Sequence, residues 1–190
     1  MKSILMSIRP EWCKRIFNGE KTIEVRKTRP LIDMPFKVLV YETKAQFVKS
    51  IRGACTTFGY GRGKVIGSFV CDKVYKIVPD GEYYSNGYDI DDDMLSETCL
   101  RRGYLTGYGL GYTLYGWHIT APKLFDKPKE LSDFYIPCKC YEKGNGCPED
   151  CGFFKQNGCA IDRTDDFCEG KRPITRAPQS WIYCEEHNAN

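Results

Sequence analysis

At 190 residues, 42% hydrophobic and 28% charged, the chain has the make-up of one soluble globular domain with an insertion or tail. No apolar run approaches the roughly 18 to 20 residues that cross a bilayer. The opening Met1 to Pro10 lacks a signal peptide's apolar centre, so no membrane partner and a cytoplasmic location are expected. Net charge is only +3, but eight basic against three acidic residues gather in residues 1–30, and residues 80–97 carry seven acidic residues with no Lys or Arg, a polarity that can steer an anionic ligand.

Ile4 to Ile8 reads as a strand with Ile4, Met6 and Ile8 on one face. Pro10 suits the first turn of a helix, and Trp12, Ile16 and Phe17 recur at helical spacing, so a short amphipathic helix is expected over residues 10–18. Asn18-Gly19 ends it. Lys21 to Lys27 alternates as a strand, with Ile23 and Val25 to one side and Thr22, Glu24 and Arg26 to the other. Phe36 to Tyr41 is a central strand, and Lys64 to Val78 is one bent strand or a strand pair.

Asp91 to Arg102 predicts a helix, its aspartates in the first turn where the helix dipole favours them. Tyr115 to Thr120 is a further strand, Leu124 to Leu131 a Pro-interrupted linker, and Pro178 to Cys184 a short last strand. The expected fold is mainly β with peripheral helices (α+β), a small β-barrel with helices at its rim and a cysteine-rich insertion near the C-terminus. Three segments follow: a barrel domain over 1–135, the insertion over 136–172, and a closing strand with a tail over 173–190.

The stretch Asn18-Gly19-Glu20-Lys21-Thr22-Ile23-Glu24-Val25-Arg26, entering a second strand, resembles the hallmark of the ASCH family, Gly-x-Lys-x-x-Glu-x-Arg. Leu114 to Ile119, through Lys123-Leu124-Phe125, resembles that family's closing strand and following turn. The resemblance covers roughly residues 3–135. It implies a PUA-like barrel whose partner is RNA or a nucleotide, and in some members a hydrolase acting on RNA or a modified nucleoside. Members that deacetylate a modified cytidine use a lysine, a threonine three residues later and a later glutamate. Lys21 matches the lysine, but Glu24 holds the threonine position and the glutamate falls near Arg102, so that reaction is not expected here.

Lys21 and Arg26 beside a cleft suit a phosphate or a base carbonyl, with Glu24 orienting them or accepting from a base amino group. The plainer alternative is an ion-pair ladder on an exposed strand. Candidate nucleic-acid contacts are Arg9, Lys21, Glu24, Arg26, Arg62 and Tyr108. Were the chain an enzyme, Lys21 with Glu24 as general base would be the catalytic candidates. Tyr104, Tyr108, Tyr112 and Tyr115 alternate with glycines as a flexible loop whose rings could stack on unpaired bases, or as a plain hairpin. His118, between Trp117 and Ile119, reads as a packed core residue.

Six of the eleven cysteines fall within residues 138–168. Clustered thiolates on short loops can hold a structural zinc, with Cys138, Cys147, Cys151 and Cys159 the preferred ligands and Cys140 and Cys168 competing. A reduced, metal-free loop is the alternative, as is an interaction adaptor that works through this insertion. The remaining cysteines read as ordinary buried thiols.

Overall fold

The computed structural model describes residues 3–44, 61–81, 87–137 and 171–186. Strand β1 (Ser3–Ile8) is wholly buried, and α1 (Pro10–Phe17) follows it with Pro10 in the first turn and Cys13 and Ile16 facing the core. Gly19, at φ 76°, takes the left-handed turn that ends the helix and redirects the chain into β2 (Ile23–Arg26). Strands β3 (Phe36–Glu42), β4 (Lys64–Cys71) and β5 (Val74–Ile77) come next. Helices α2 (Asp92–Thr98) and α3 (Arg102–Gly109) precede β6 (Leu114–His118) and β7 (Thr120–Lys129). A 3-10 turn at Leu131–Asp133 leads to β8 (Phe134–Pro137), and β9 (Lys171–Pro173) and β10 (Trp181–Glu186) complete the described chain.

Hydrogen bonding arranges these strands as two sheets, and the expected closed barrel is not formed among the described residues. A seven-stranded sheet runs β7-β4-β3-β1-β10-β8-β9, and a three-stranded sheet runs β2-β6-β5. Two of the chain's passages between the sheets are tight corners, from β4 to β5 through Asp72-Lys73 and from β6 to β7 through Ile119. Backbone bonds pin both corners, His118 N–H to Lys73 O at 2.9 Å and Ile119 N–H to Thr22 O at 2.8 Å. The apolar run 64–78 is therefore a strand pair whose members belong to different sheets.

Between the sheets, Ile4, Met6, Val38, Val40, Phe69 and Trp117 form the main core. The far side of the large sheet packs Leu5, Leu39, Val65 and Phe134. Ile23 and Val25, the inward side of β2, join Ile77, Tyr88 and Leu105 under α2 and α3.

Three other expectations are corrected. The helix expected over 91–102 is two helices. Asp91 accepts from Met94 N–H at 2.7 Å and caps α2, which stops where Cys99 turns to φ 55° and Thr98 Oγ1 bonds Leu95 O at 2.6 Å. The Tyr-Gly segment is no loop, because residues 102–109 form α3, with Leu105 buried beneath it. Leu124 to Leu131 is largely the continuation of β7. Pro122 and Pro128 are tolerated there because β7 is an edge strand whose pairing with β4 shifts register twice. No described helix is long and apolar enough to cross a membrane.

Candidate functional site

Alternation along β2 sends Ile23 and Val25 into the core beneath α3 and turns Glu24 and Arg26 toward α1 and β1. The turn before β2 brings Lys21 to the same place. The residue is only 2% exposed, and its ammonium lies 2.5 Å from Thr98 O, 3.4 Å from Glu24 and 5.2 Å from the centre of the Trp12 ring. Burial pulls the Lys21 pKa below that of an ordinary lysine, against the opposing pull of Glu24.

Glu24 is shared by two cations, since its other oxygen lies 3.0 Å from the Arg26 guanidinium. Arg26 donates from Nη2 to Ser7 O at 2.7 Å and from Nη1 toward Ser180 Oγ at 3.5 Å. Its Nε is buried and has no hydrogen-bond partner among the described residues. Three charges packed this closely pay heavily for lost water, and an unmatched donor among them adds to that cost.

These side chains form one wall of a cavity of about 300 Å³. Trp12 of α1 and Tyr104 and Tyr108 of α3 add aromatic surface, and Arg9 stands at the start of α1. Gln179 and Ser180, just before β10, contribute from the far end of the chain. Burial pushes the Tyr108 hydroxyl pKa upward, and the Lys27 ammonium sits 5.0 Å from that ring's centre.

The structure therefore brings Arg9, Lys21, Glu24, Arg26 and Tyr108 to one cavity. Arg62 stands apart. Its side chain is 61% exposed and lies outside the cavity lining, with its Nε 4.0 Å from Glu42. Glu42 is held instead by the Arg62 backbone N–H at 2.7 Å. Thr22 bonds Glu97 at 3.0 Å outside the cavity, and Arg102 pairs with Asp92 at 2.6 Å, so neither joins Lys21 in a deacetylase-like trio.

His118 is half-exposed rather than packed in the core, with Nδ1 2.6 Å from Asp72 Oδ1 at the corner of the two sheets. Trp12 was legible only as an apolar position of the helix, and Tyr104 as a ring able to stack on bases from a loop rather than from a helix. Gln179 and Ser180 carry no local signal, because the pairing of β10 with β1 is what places them.

The zinc candidates Cys138, Cys147, Cys151 and Cys159, with Cys140 and Cys168, lie outside the described residues. Among the described residues no three potential ligands cluster. Cys13, Cys71 and Cys184 are buried thiols whose pKa burial raises, to about 12 for Cys71 and Cys184, and Cys99 is half-buried.

No protein-family model and no curated protein matches the chain. Among solved structures, the fold is similar to that of ASCH from Zymomonas mobilis, with a TM-score of 0.51 at 15% identity, over 95% of this chain and 86% of that one. Two point-substituted forms of the same Zymomonas mobilis protein align at TM-scores of 0.48 and 0.49, with 15% and 16% identity. They cover 96% and 95% of this chain, and 90% and 87% of theirs. On the first of these matches the chain has an ASCH-like fold, mainly β with three helices among the described residues.

Proposed function

We propose that the chain is an RNA- or nucleotide-binding module whose ligand enters the cavity base first. The observation that carries this reading is the Lys21-Glu24-Arg26 group, with the unpartnered Arg26 Nε among its charges, facing a space walled by Trp12 and Tyr108. A volume of about 300 Å³ is at the small end of ligand sites, the size for one nucleoside rather than a longer segment. The edge of a base offers acceptors to the cations and, where it bears an amino group, a donor to Glu24. A phosphate in the same place would meet the Glu24 carboxylate, and is better matched by the exposed Arg9 of the lining and the exposed Lys27 beside Tyr108. The ASCH-like fold accords with RNA-related binding.

The test is fluorescence anisotropy with a labelled single-stranded RNA between 50 and 200 mM salt. Replacing Arg9 by Ala should weaken binding and flatten the dependence on salt by somewhat less than one counterion, about 0.7 per phosphate contact on a single strand. Arg62→Ala serves as the control and should change neither. Equal effects of the two substitutions, or no effect of Arg9→Ala, would move the binding surface away from this cavity.

A further inference from the structure

Tyr104 and Tyr108 stand one helical turn apart on α3, with ring centroids 6.4 Å apart and planes inclined by 22°. Both line the cavity, but at different depths. Tyr108 is half-buried under the Lys27 ammonium, whereas Tyr104 is 44% exposed. A side chain at Gly103 or Gly107, on the next face of α3, would meet nothing within 4 Å among the described residues. Arg101, the N-cap of the same helix, is exposed, and the Lys27 ammonium sits over the Tyr108 ring.

A ligand confined to the cavity leaves the exposed part of the Tyr104 ring uncovered. An exposed aromatic surface continuing out of a base-sized space, beside the Lys27 ammonium, fits a chain of nucleotides, because each base has a face that stacks and each link carries a negative charge. A duplex does not fit, since its base faces are already covered by their neighbours. Resting on the nucleotide-binding reading, we propose that the ligand is single-stranded RNA: one base enters the cavity and its neighbour stacks on Tyr104. The site then binds strands in preference to free nucleotides, and the preference resides on α3.

The experiment compares each of the four ribonucleoside 5′-monophosphates, by calorimetry, with a single-stranded RNA octamer containing all four bases, by anisotropy. The octamer should bind at least tenfold tighter than the best monophosphate. Tyr104→Ala should weaken the octamer by about tenfold, the loss of one stacked base at roughly 1–3 kcal/mol, and the monophosphate by less, so that the octamer's advantage over the monophosphate shrinks severalfold. Tyr104→Phe should restore the octamer, which loss of fold would not allow. Arg26→Lys, which keeps the charge and removes Nε, should weaken both ligands. Octamer and monophosphate of equal affinity, or an octamer indifferent to Tyr104→Ala while Arg26→Lys still weakens it, overturns the strand proposal and leaves the nucleotide site standing. No binding of any probe, or no effect of Arg26→Lys on either, overturns both.

Discussion

Glu24 lies between two cations that make different use of it. Arg26 has the Ser7 carbonyl as a second anchor, and Lys21 has the Thr98 carbonyl, the last of α2. Lys21 therefore completes the C-terminus of a helix as well as lining a cavity, and a cation is favoured at that end of the helix dipole. Removing it would leave Glu24 buried with one partner and a helix carbonyl without its donor. Lys21→Met should lower stability by on the order of 3 kcal/mol in urea denaturation, in the range for breaking a buried pair from one side. An unchanged unfolding midpoint would mean that water already shares the group. The same double duty explains why the lysine shows in sequence as part of a motif while its contact with Thr98, 77 residues away, does not.

α3 is the element that local reading missed. Its composition is Tyr, Gly, Leu and Thr around Arg102, and glycine costs about 1 kcal/mol per position in a helix, so the segment reads as a loop. Packing overrides that preference, because Leu105 is buried and Gly109 lies directly against Tyr88. A side chain on Gly109 would fall 1.8 Å from the Tyr88 hydroxyl, which itself donates to Tyr112 O at 2.8 Å. Gly109→Ala should cost about 2 kcal/mol through overpacking and weaken RNA binding by shifting the tyrosines. Gly107→Ala, with open space beside it, should be neutral or slightly stabilising; thermal unfolding of both variants checks the pair. β1, α1, β2 and β3 were legible because their apolar period is unbroken. β7 was not, since its two prolines are acceptable only at a sheet edge, and edge position is a property of topology. The Lys21, Glu24 and Arg26 positions were legible through the resemblance of residues 19–26 to the ASCH motif, and Tyr104 and Tyr108 as rings able to stack. Trp12 as a cavity wall and the Gln179-Ser180 side were not, since they depend on how α1 and β10 dock.

At the scale of the molecule, the cysteine-bearing segment departs from and returns to one sheet edge. β8 ends at Pro137 and β9 begins at Lys171, and these two residues are register partners. A segment held at neighbouring points can be ordered by its own metal without disturbing the sheets. Elemental analysis of the purified chain should find stoichiometric zinc, released by a chelator while the far-ultraviolet dichroism of the sheets persists; a chain purified without zinc in reducing buffer would refute the proposed site. The larger sheet also seats β1 at its middle, between β3 and β10, and Ser7 Oγ bonds Pro178 O across 171 positions of sequence. Gln179 and Ser180 follow directly and form one side of the cavity. During synthesis the central strand therefore leaves the ribosome long before its second neighbour exists, with one edge open to stray pairing. The cavity is among the last features to be finished, so the ligand proposed for it would stabilise only a chain that has already been translated through Ser180.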